Sequence, residues 1–285
     1  MIWIEDFVSE QRSEESHGET KDRKEFVDSI ITAPPFVAVL FAGMLACLEI
    51  GRRLGIRRLA RDPGGAMAGL GTISGAVFAL YGLLVAFTFS GAASRLDVRR
   101  QLIAEEANNI GTAYLRLDLL SAEAQPTLRE LLRKHLDLRL EAYRKLPDIA
   151  AAKVVLAQSA RIQREIWTEA TAATRLLGNH PEAGRLLLPA LNQMIDITTT
   201  RTMAMRIHPP FIIFVLLFVL ALLCSLLTGF GTASSQRRNW LHILAFTVIT
   251  AISVYVILDI EYPRAGLFRL DAYDQVLVEL RESME

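Results

Sequence analysis

Ionisable residues crowd two places where apolar runs end. One is SRLDVRRQLIAEE, which carries Arg95, Arg99, Arg100, Glu105 and Glu106; the other is LDIEYPR, with Asp259, Glu261 and Arg264. Charged groups at membrane depth are costly, so they face protein or water and pair with one another. The expected network joins Asp259 and Glu261 to Arg95, Arg99 or Arg100, and Arg264 to Glu105 or Glu106. Such a ring serves either as a clamp between two membrane helices or as the vestibule of a conducting path. Both readings stay open here.

The apolar run that leads into Arg95 carries two stripes at helical spacing. Ser74, Phe78, Tyr81, Val85 and Thr88 mix hydroxyls with aromatics and point along the helix towards Arg95 and Arg99. As a pore lining they would supply hydroxyl rungs, an aromatic constriction and a cationic mouth, the devices by which channels gate and select. The alternative is packing against other helices, with the hydroxyls bonded back to the backbone. Gly71, Gly75, Ala79, Gly82 and Ala86 form the second stripe, and small residues on one face let membrane helices approach closely.

Signs of catalysis are missing. GLGTISG resembles a phosphate loop but lies inside an apolar run, with no preceding strand and no Lys-Ser/Thr pair. The five histidines show no metal-ligand spacing; His135, beside Asp137, reads as bundle surface, and His180 and His208 flank prolines at turns. Cys47 and Cys224 sit in apolar runs as packing residues. No enzyme, metal or cofactor is expected. Lys+Arg and Asp+Glu balance at 31 each, which argues against a nucleic-acid partner.

The elements that must position these groups are membrane helices. Four runs reach the bilayer-crossing length of about 17–25 residues: Pro34–Ile50, Gly69–Ala93, Pro210–Phe230 and Trp240–Leu258. The third is apolar on every face, so it has no surface to offer water. Prolines near 126, 147, 181 and 209 divide the segment between the second and third spans into helices of about 92–120, 122–146, 148–177 and 181–207, because proline belongs at helix starts. The expected architecture is all-α and polytopic. An acidic tail covers 1–33, two spans and a basic loop 34–93, a four-helix extramembrane stalk 94–208, two spans 209–259 and a C-terminal tail 260–285.

Parity puts both tails and the stalk on one side of the membrane. The opposite loops, GRRLGIRRLARDPGG and GTASSQRRN, hold seven arginines and one acid, a density that points to the cytoplasm. Glu49 is expected to pair with its own loop arginines.

FTFSGAASRLDVRRQLIAEEANNIGTAYLRLD and LDIEYPRAGLFRLD are similar to the bacterial "bestrophin-like domain" membrane family. Bestrophins are oligomeric ion channels, mostly anion-conducting, with four membrane helices and a helical extramembrane part. The resemblance therefore implies a homo-oligomer in the inner membrane, with the second span lining a pore for an inorganic ion. It also implies a cytoplasmic large domain, opposite to the loop-charge reading. Calcium-clasp and pore-neck residues of bestrophins find no one-to-one match here. The competing function is a non-conducting scaffold or sensor whose stalk binds a partner.

Overall fold

The computed structural model describes residues 33–62, 70–146, 148–176, 181–235, 240–262 and 271–285. The acidic N-terminal tail and Arg264 lie outside the described residues. Among the described residues there is no strand. The helices are α1 (Ala33–Arg61), α2 (Leu70–Arg116), α3 (Gln125–Lys145), α4 (Ile149–Leu176), α5 (Pro181–Arg206), α6 (Phe211–Gly231), α7 (Trp240–Glu261) and α8 (Asp271–Glu282). Among the described residues four helices are long and apolar enough to cross a membrane, and α1, α2, α6 and α7 carry those stretches.

Local chemistry explains the boundaries. No proline interrupts α2 over its 47 residues, and it ends only in the 3-10 turn Leu117–Leu119. Pro126 stands in the first turn of α3 and Pro181 opens α5, where a missing N–H costs nothing. Pro209 and Pro210 separate α5 from α6, because a residue before proline is driven out of the helical region. The first basic loop is shorter than expected. α1 continues to Arg61, since nothing in GRRLGIRRLAR breaks a helix.

The chain forms two compact units, residues 1–88 with 211–259 and residues 89–210 with 260–285. In the first, α1 and α6 run in the same direction at very close range. A Cβ on Gly51 would sit 2.0 Å from the Leu226 carbonyl oxygen, and one on Gly229 would sit 2.0 Å from that of Leu48. Only glycine fits at such crossings. Leu40, Met44, Leu48, Leu217, Ala221 and Cys224 fill the seam, and Phe36 meets Phe218 at 5.4 Å between ring centroids.

In the second unit, leucines four apart on α3 (Leu128, Leu132, Leu136, Leu140) meet Ile110 of α2, Leu117 of the 3-10 turn after it, Ile162 and Ile166 of α4, and Leu187, Leu191 and Met194 of α5. The expected four-helix stalk gains a fifth member. α8, assigned above to a tail, buries Leu277 against this core and brings Met284 with it. The Tyr114 hydroxyl donates to the Met284 carbonyl at 2.9 Å, and Arg281 holds Asp137 at 2.8 Å.

Candidate functional site

The residue types at the two run ends build one charge node in the second unit. Glu261, the last residue of α7, is fully buried. Arg95 of α2 grips it through Nε at 2.9 and 3.1 Å and through Nη2 at 2.7 Å. His208, in the turn before α6, contributes Nδ1 at 2.9 Å from Glu261 Oε1, and its ring stacks on Tyr262 at 4.7 Å. A carboxylate with so many donors is satisfied in the charged state, which is what allows it to be buried.

Arg99 spans the node rather than adding another simple ion pair. Its Nη1 donates to the Glu261 carbonyl at 2.8 Å, its Nη2 to the Ile207 carbonyl at 3.1 Å, and its Nε to the Ala204 carbonyl at 3.3 Å. The carbonyls at a helix C-terminus lack intrahelical partners and carry negative partial charge. One guanidinium thus caps the ends of α5 and α7 together and ties both to α2. Its ion pair with the Glu261 carboxylate is longer, at 3.5 Å.

Other network residues go elsewhere. Arg100 pairs with Asp97 at 3.3 Å on its own helix and lies over the Tyr273 ring at 4.6 Å. Glu105 is exposed, and Asp259 is buried in the first unit. Glu106, expected to meet Arg264, belongs instead to a second buried cluster. Thirteen residues past Ala93 amount to about 20 Å of helix, which carries Glu106 well into the bundle. There it is fully buried between Arg139, at 2.6 Å, and Arg201. Tyr143 donates to it at 2.9 Å, Arg201 lies 3.7 Å above the Tyr143 ring, and Arg201 also holds Asp274 of α8 at 2.7 Å. Burial raises the Tyr143 phenol pKa, so the group remains a neutral donor.

His135 neighbours this cluster and is wholly buried, not on the surface as its sequence context suggests. Its Nδ1 shares a hydrogen bond with Ser159 Oγ at 3.0 Å, while Nε2 has no partner among the described residues. Burial, then the nearby Arg139 charge, pulls its pKa down to about 4. A pocket of about 430 Å³ opens beside the cluster, lined by Leu140, Tyr143, Arg144, Leu146, Asp274, Gln275 and Val278.

Within the chain, the first stripe of α2 follows the packing alternative. Tyr81 and Thr88 are buried, Phe78 meets Phe246 of α7 edge-on at 5.9 Å, and Ser74 and Val85 are half-buried. The Thr88 hydroxyl donates to the Leu84 carbonyl at 2.6 Å. Side-chain packing of this kind, and not removal of apolar area from lipid, is what associates membrane helices. Gly71, Gly75, Ala79, Gly82 and Ala86 are exposed, and at the three glycines nothing lies within 4 Å of an added Cβ. The close helix packing expected of that stripe is carried within the chain by Gly51, Gly55 and Gly229. A spacing of four was readable there too, in Gly43, Cys47, Gly51, Gly55 and in Ala221, Ser225, Gly229, Ala233.

Four bilayer-length helices, a helical bundle and a buried ionic joint at the helix ends define a polytopic all-α membrane protein. The chain belongs to the bestrophin-like family, whose model, described as Bestrophin-like domain, matches residues 35–272. A crystal structure of a bacterial bestrophin homolog from Klebsiella pneumoniae, carrying a point mutation, shares the fold. That likeness has a TM-score of 0.60 at 15% identity and covers 85% of this chain and 98% of the other. No curated protein matches the chain.

Proposed function

We propose that the protein is the subunit of a homo-oligomeric ion channel of the inner membrane, with the second span, α2, lining the pore. Membership of the bestrophin-like family supports a channel, and the observation that carries the pore assignment is the open face of α2. Its aromatic face is used up by packing inside the chain, whereas Gly75, Ala79, Gly82 and Ala86 are left facing outward. The exposed arc of α2 carries these small residues together with Ile73, Leu80, Leu83 and Phe87, with half-buried Ser74, Phe78 and Val85 at its border, and around a symmetry axis this arc is the side we assign to the conducting path.

Anions are the first permeant class to test. Arg95, Arg99 and Arg100 concentrate positive charge where the second span ends; Glu261, Asp97 and Glu105 oppose it. A scaffold role gains some support from Leu115 and Leu186, which the bundle exposes by 69% and 45%.

The test is to purify the protein in mild detergent, measure its mass in solution, and record ion flux after reconstitution into liposomes. An oligomer that conducts chloride, with a conductance altered by Gly82→Leu, is the expected result. A monomer without flux over a range of pH and calcium would overturn the channel reading and leave the scaffold.

A further inference from the structure

The arginine-bearing end of α1 takes no part in either charge cluster. α1 runs for 29 residues, about 44 Å, more than the roughly 30 Å of hydrocarbon a bilayer offers. Its partner α6 fits that thickness closely, with 21 residues spanning about 31 Å and no charge along its length. The two helices are in register at a known level. A Cβ on Gly55 would lie 2.8 Å from the Phe230 carbonyl oxygen, one residue before the end of α6. Gly55 therefore marks where the hydrocarbon ends. Residues 57–61 lie about 3–9 Å further along the helix, within the headgroup layer, which adds about 5–8 Å on each side.

The face presented at that depth is specific. Gly51 and Gly55 turn towards α6, and Ile50, Arg53, Leu54, Arg57 and Arg61 lie off that face, all exposed, while exposed Arg58, two turns on from Gly51, lies nearer the glycine side. Arg53 is engaged by Glu49 at 2.8 Å. Arg57, Arg58 and Arg61 have no ion-pair partner among the described residues, in contrast to the arginines of the charge node. Leu54 and Ile50, 45% and 51% exposed, lie about one and two turns below Arg57, at the depth of acyl chains. Apolar residues at chain depth below unpaired guanidiniums at phosphate depth match the two ends of one amphiphile, and a guanidinium fork binds phosphate oxygens in pairs.

We propose that the C-terminal turns of α1 form a binding site for anionic phospholipid, in which Arg57, Arg58 and Arg61 hold the charged headgroup phosphate and its neighbouring hydroxyls while Ile50 and Leu54 contact the acyl chains. The site lies at the end of the helix that is locked to α6 through Gly51 and Gly229, so bound lipid rests on a rigid pair. Basic residues at a membrane surface contribute about fivefold each to anionic-lipid affinity, screened by salt.

Native mass spectrometry of the full chain in detergent, titrated with phosphatidylglycerol or phosphatidylcholine, tests this. The expected result is a preference for phosphatidylglycerol that weakens as salt rises. R57Q/R58Q/R61Q should reduce that preference by about 100-fold, whereas R161Q/R164Q/R175Q, the same charge change on exposed positions of α4, should leave it intact. Equal loss in both triple variants, or no loss in the first, overturns the proposal. So does full protection of the site by inorganic phosphate alone, which would assign it to a free anion. If the first triple variant does not purify, the three single variants carry the test, each expected to lose about fivefold; unchanged preference in all three refutes it.

Discussion

Replacing Glu106 by glutamine probes the buried cluster with almost no change of shape. In the native bundle two guanidiniums, Arg139 and Arg201, are balanced by Glu106 and Asp274, all with little or no exposure. Glutamine removes one negative charge and leaves a net positive charge sealed inside α2, α3 and α5. It also turns an amide N–H₂ towards at least one arginine, donor against donor, because only its single oxygen can accept from Tyr143 and the other arginine. Breaking a buried pair in this way typically costs about 3–5 kcal/mol. The same change at Asp97, whose pair with Arg100 is largely in solvent, should cost well under about 1 kcal/mol. Unfolding of the purified chain in mixed detergent micelles, followed by far-UV circular dichroism, reads the difference. Adding Arg139→Met to Glu106→Gln removes the excess charge and should recover about half of the loss. If Glu106→Gln behaves like Asp97→Asn, or if the double variant is as unstable as the two single losses combined, the account of the cluster fails.

Two further outcomes follow from the packing. Folded His135 resists protonation down to about pH 4, whereas the unfolded chain takes up the proton near pH 6.5. Stability should therefore be full above pH 6.5 and fall as the pH drops from there to about 4. The total drop is about 3 kcal/mol, and His135→Leu should remove about 2 kcal/mol of the difference between pH 7 and pH 5; an unchanged difference would rule His135 out. At the α1–α6 seam, Gly229→Ala forces a Cβ onto the Leu48 carbonyl and should lower the thermal midpoint by several degrees, whereas Gly75→Ala has open space within the chain. A stable Gly229→Ala would mean that the helices separate freely, and a strong effect at Gly75 on oligomer mass would place a neighbouring copy on that face.

The spans and most helix ends were legible because their causes are local. An apolar run of bilayer length and a proline at residue 126, 181 or 209 act within a few residues, so sequence alone determined an all-α membrane protein with four spans and a helical bundle. The meeting of Arg95 with Glu261 was also within reach, because costly charges at the ends of neighbouring apolar runs have few partners to choose from. Other features depended on the third dimension. Whether Tyr81 or Gly82 faces outward is decided by which side of α2 meets its neighbours, and periodicity marks both faces equally. The inclusion of α8 in the bundle, the depth of His135 and the choice of Arg139 and Arg201 for Glu106 rest on contacts across long stretches of chain. Spacing carries no record of those distances. Tertiary structure also gave Arg99 its part. A side chain that reads as half of an ion pair became the cap for two helix ends, because folding brought the carbonyls of Ala204, Ile207 and Glu261 within reach of one guanidinium.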